Sequence, residues 1–250
     1  MKAKLLALAL GAAVAMPALA VTHVGDCGFT SNYSLSIKTD RLVFKRTSGT
    51  PSEVEIADGS LRIDGKLVAT DAADTERLRH AEREIRAIVP EVKTIAREAI
   101  AIAFGAIGEV SAAFARDGDA ARASASRIAR AGRQIDRRIA DSDSFEHWQD
   151  ADVDALIEST VATLIPELIG NVAATAMKAA FSGDDAAIAE LQARADGIER
   201  SVERSVEKQA ADLGRRAMDL CPRLRALDRV ESELDLRLAD GSRLDLVRVD

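Results

Sequence analysis

The feature that most restricts how this chain can fold is a change of hydrophobic period. About 35 residues with a two-residue rhythm give way, after Asp71, to about 150 residues with a helical one. In the first stretch Tyr33, Leu35 and Ile37 alternate with Ser and Lys, and the apolar runs Leu42–Phe44, Val54–Ile56, Leu61–Ile63 and Leu67 follow. Asp58-Gly59 and Asp64-Gly65 fall between runs as turn pairs that accept positive φ, and Thr47–Ser52 reads as a loop. Residues 21–70 are therefore expected to form a small antiparallel β-meander.

Residues 71–222 read as an elongated bundle of about four long, kinked helices. In the first, Leu78, Ile85, Ile88, Val92, Ile95, Ile102, Ile107, Val110 and Phe114 make one apolar stripe; Pro90 is expected to kink or restart it, and Asp117-Gly118-Asp119 to end it. A second helix, about 120–140, carries Ile128, Ile135 and Ile139 on a narrow face. The third, about 152–181, has Val153, Ile157, Leu164, Leu168 and Met177 inward and reads as the most buried, with a kink at Pro166. After Ser182-Gly183-Asp184, a fourth runs in near-heptad rhythm from Ile188 to Leu220. In residues 223–250, Leu234, Leu236 and Leu238, an Asp240-Gly241 turn, and Leu244 and Leu246 predict a β-hairpin. Antiparallel helices return this tail to the meander, giving an α+β fold. With 3% aromatic residues and abundant Ala, the helices should be thin and closely packed.

Residues 1–20 have the make-up of a cleavable signal peptide: Lys2 and Lys4, an apolar run from Leu5 to Met16, and Ala18-Leu19-Ala20 before a mature start near Val21. The apolar run is shorter than the roughly 20 residues needed to span a bilayer. Export to an oxidising compartment makes the two cysteines, Cys27 and Cys221, an expected structural disulfide, worth roughly 5 kcal/mol on the chain-entropy account. Their spacing is not that of a redox pair.

The formal charge of −7 argues against a nucleic-acid surface. Histidines occur at 23, 80 and 147. His80 and Glu84 stand one helical turn apart, but among Arg79, Glu82 and Arg83 they read as a solvated, salt-bridged face, so no metal site is assigned. Phe145, His147 and Trp148, just before the third helix, form a candidate partner-contact loop. The second helix is rich in arginine, and Arg127, Arg130 and Arg137 are a candidate patch for an anionic partner such as a lipid head group. The competing reading pairs these arginines with Glu190, Glu199, Glu203 and Glu207 of the fourth helix, or turns them to water. No phosphate loop, nucleophile elbow or paired-cysteine motif is present, no catalytic residue is assigned, and no cofactor is implied.

The order of signal peptide, early cysteine, Tyr33-x-Leu35 strand, the run Asp58-Gly59-Ser60-Leu61-Arg62-Ile63-Asp64-Gly65-Lys66 leading into a long helix, Phe145-Glu146-His147, and Leu220-Cys221 resembles the YggN-like family of Gram-negative periplasmic proteins of unknown function. The resemblance implies a periplasmic location and brings no catalytic residue with it. Together these features point to a non-enzymatic periplasmic binding or interaction protein whose partner is an unknown protein or envelope component. The alternatives are a carboxylate-dependent hydrolase of an envelope polymer and a lipid-contacting structural protein.

Overall fold

The computed structural model describes residues 28–115, 117–142, 185–238 and 241–249, with isolated helical positions at 162, 166, 170, 173, 174, 177 and 181. Strand β1 is Phe29–Thr30. Strands β2 (Ser34–Ile37), β3 (Leu42–Lys45), β4 (Glu53–Ala57), β5 (Ser60–Ile63) and β6 (Lys66–Val68) pair in sequence order as a five-stranded antiparallel sheet. The register sets Leu35 opposite Phe44, Leu42 opposite Ile56, Phe44 opposite Val54 and Ile56 opposite Leu61. The two-residue period thus gathers one apolar face. Asp58-Gly59 and Asp64-Gly65 have positive φ at both residues, the two-residue hairpin turn that suits the strand twist. Gly59 is required for a second reason: a Cβ there would lie 2.6 Å from the Thr75 carbonyl oxygen.

Helix α1 (Ala72–Ala113) starts at Asp71, whose carboxylate accepts the Asp74 N–H at 2.7 Å. It is one helix of 42 residues and continues through Pro90, which lies on an exposed side, so the expected restart does not occur. Its first half covers the sheet with Leu78, Ile85, Ile88 and Val89, all buried. Its second half runs beyond the sheet as an arm. Along it pack α2 (Gly118–Asp141) and α3 (Asp185–Met218), both antiparallel to α1. Arg97 meets Asp136 at 2.6 Å, the Ser111 and Ser124 hydroxyls pair, Gly132 lets Phe104 approach, and Arg216 reaches Glu98. A short helix, α4 (Cys221–Ser232), returns to the head, where Arg223 bonds Glu84 and Glu91 of α1 at 3.3 and 2.7 Å.

Four expectations are corrected. Among the described residues there are three long helices and one short one, rather than about four long kinked ones. The expected third helix lies largely outside the described residues; Met177, expected inward, is 56% exposed. Among the described residues no carboxy-terminal β-hairpin forms: α4 occupies 221–232, and of the described tail only β7 (Arg248–Val249) joins a ladder, antiparallel to β1. The turn around Gly241 exists, with Leu238 N–H bonding the Ser242 carbonyl at 2.9 Å, but its leucines are spent on the core instead of on each other. Finally, the described residues hold no disulfide, and the expected Cys27–Cys221 bridge does not form. Cys221 is a buried free thiol where α4 begins, beside buried Leu220, and fills space as a small apolar group.

Leu61 is fully buried between sheet and helix. Leu61→Ala is expected to cost about 3 kcal/mol in urea unfolding, the range typical of a core cavity. Met218→Ala on the arm, half exposed, should change stability by less than about 0.5 kcal/mol.

Candidate functional site

Sequence spacing places Glu231 on the buried stripe of α4: Leu220, Leu224, Leu227, Glu231 and Leu234 recur at three or four residues. The residue as a whole is half-buried, but its carboxyl group is enclosed. It accepts the backbone N–H of Leu246 and, at 3.0 Å, that of Val247. Loss of hydration pushes its pKa from the usual 4.5 up to about 7; the two N–H donors pull it down, and Asp245 and Asp228 add to the rise. Beside it lies a cavity of about 30 Å³ lined by Phe44, Ile56, Leu78, Leu227, Leu244 and Leu246. That space is too small for any guest beyond the size of a water molecule.

A second carboxylate holds the start of the same tail. Asp74, buried in the first turn of α1, takes Arg77 at 2.9 Å and the Asp235 N–H at 3.3 Å. At the far end the Ser31 hydroxyl donates to the Leu246 carbonyl at 2.6 Å. Nearby, the Tyr33 hydroxyl donates to the Pro51 carbonyl at 3.2 Å, and Arg46 lies 4.9 Å over its ring. Burial pushes the Tyr33 phenol up while the Arg46 cation draws it down. Chemically this is a set of fasteners. The two carboxylates are turned to backbone donors or a cation and the two hydroxyls to backbone carbonyls, and none of the four is aimed into a space that could hold a substrate.

Phe145, His147 and Trp148 lie outside the described residues, as does Cys27. His80 is exposed and Glu84 is engaged by Arg223, so they do not form a ligand pair. The candidate arginine patch divides: Arg130 and Arg137 are exposed, Arg127 is half-buried to one side, and Arg133 takes its place in the exposed row. Among the described residues, Glu199, Glu203 and Glu207 of the fourth helix bond no arginine of α2. Glu190 is bonded to Arg194 of its own helix, and α2 and α3 each pack on α1. No described helix is long and apolar enough to cross a membrane.

A family model described as "Protein of unknown function (DUF2884)" matches residues 27–247. No curated protein and no solved structure matches the chain.

Because Glu231 holds its proton more tightly folded than unfolded, its ionisation opposes folding. Stability should therefore fall as the pH rises from about 4.5 through about 7, by at most roughly 3 kcal/mol. Asp64, drawn low by the Glu53 N–H, and Asp136, drawn low by Arg97, stay ionised across this window. Denaturant titrations from pH 5 to 8 should show the slope in the wild type and a flatter line in Glu231→Gln. Equal slopes would remove Glu231 from this role.

Proposed function

The chain belongs to this DUF2884 family of unknown function, which passes on no activity, and on that premise we propose that it is an exported, non-enzymatic interaction protein whose helical arm meets another component of the cell envelope. One observation carries the reading. The head is closed around Leu42, Val54, Leu61 and Leu78, whereas along the arm Ile102, Phe104, Ile107 and Val110 of α1 and Val202, Val206 and Leu213 of α3 each keep part of their surface exposed. Apolar surface left part-covered over such a length favours a partner that completes the burial.

The location rests on the signal-like first 20 residues and on the likeness to YggN-like periplasmic proteins. The hydrolase alternative draws little support: it needs a concavity where an acid and a base converge, and the enclosed carboxyl of Glu231 adjoins space for about one water. Phe145, His147 and Trp148 remain a second proposed contact.

Photo-crosslinking residues placed in the envelope-expressed chain test this reading. Exposed arm positions Ala129 and Ala210 should yield adducts with a partner, while Ser60 on the head's β-turn should not. The recovered protein should begin near Val21 by intact mass. Adducts from the head alone, or cleavage of an envelope polymer by the purified protein, would contradict it.

A further inference from the structure

The arm carries two rows of like charge. On α2, Arg130, Arg133 and Arg137 are exposed, and no hydrogen bond or ion pair among the described residues involves them. On α3, the same is true of Glu199, Glu203 and Glu207. Spacings of three and four residues put each row on one helix face, and at 1.5 Å per residue each is about 10–12 Å long. Like charges so placed repel and weaken their own helix. The arginines nearest the acidic row turn elsewhere: Arg200 and Arg204 donate to the carbonyls of Asp196 and Arg200 at 3.0 and 2.9 Å.

Opposed to each other, the two rows match in sign and length, yet they do not meet within one chain. Lys93, Arg97, Phe104 and Ser111 of α1 face α2, whereas Glu98, Ile102, Gly105 and Glu109 face α3. At 3.6 residues per turn these faces are centred roughly 130° apart around α1. The arginine row also borders a surface depression formed by Ala125, Ser126 and Ala129, whose small side chains let another helix come close.

We propose that α2 of one molecule docks along α3 of a second copy, arginine row against glutamate row, so that the chain associates with itself through its arms. Each contact uses one row from each copy and leaves one row of each open, so assembly closes as a ring or continues. Exposed ion pairs are individually weak and screened within about 8 Å at physiological salt, so the association is modest and salt-sensitive. This inference does not rest on an envelope partner; a self-adduct and a foreign adduct differ in mass.

Sedimentation velocity of the purified full chain, over a range of protein and salt concentrations, provides the test. The wild type should associate at low salt and separate as salt rises. Arg130→Glu/Arg133→Glu/Arg137→Glu and Glu199→Arg/Glu203→Arg/Glu207→Arg should each weaken association by roughly ten-fold or more. Mixed together they should associate as well as the wild type, because the reversed rows are again complementary. A wild type that stays monomeric throughout, single variants that associate like the wild type, or a mixture that remains apart would each overturn the proposal. If circular dichroism shows lost helicity in a triple variant, Arg133→Glu and Glu203→Arg carry the same comparison.

Discussion

Five short strands leave one apolar face that has to be covered, and the rest of the head follows from what covers it. Leu42, Val54 and Leu61 are fully buried because α1 lies across them with Leu78, and because Leu227, Leu234, Leu244 and Leu246 arrive from the far end of the chain. That end is held without a ladder for most of its length. Leu246 and Val247 N–H groups that lack a strand partner would be orphaned next to the core, a cost of about 1–3 kcal/mol each. Glu231 supplies the acceptor. The missing hairpin and the buried carboxylate thus have one cause: a tail that uses its leucines for the core must find its backbone partners in side chains.

Beyond Val89 the same helix obeys a different economy. No sheet lies beneath it; α2 packs there with buried Ile128, Ile135 and Ile139, with Gly132 admitting Phe104 and a hydroxyl pair at Ser111 and Ser124. Ion pairs such as Arg97–Asp136 add register more than stability, since exposed pairs contribute about 0–1 kcal/mol. The arm is joined to the head by α1, one continuous helix that passes through Pro90.

Local patterns were legible in the sequence and long-range ones were not. The meander could be read because alternation and Asp-Gly turns act over a few residues, and its register follows from them. The alternation of Leu234, Leu236, Leu244 and Leu246 reported correctly that these side chains turn inward, but it carries no information on what pairs with their backbone. Cys221 misled because an even count of thiols is an argument about parity and compartment, whereas a bridge needs Cα atoms within about 7 Å. Glu231 could have been found as the acidic member of an apolar stripe. The separation of the arginine and glutamate rows could not, since it depends on which faces of α1 receive α2 and α3.

The central claim is that a head closed by both ends of the chain supports an arm that opens more easily than the head does. Native-state hydrogen exchange measures this directly. The amides of β3, β4, β5 and the first half of α1, together with those of Leu246 and Val247, should exchange only through global unfolding, while α2, α3 and the second half of α1 open at lower free energy. Uniform protection from end to end, or a tail whose Leu246 and Val247 amides exchange before the arm, would contradict it.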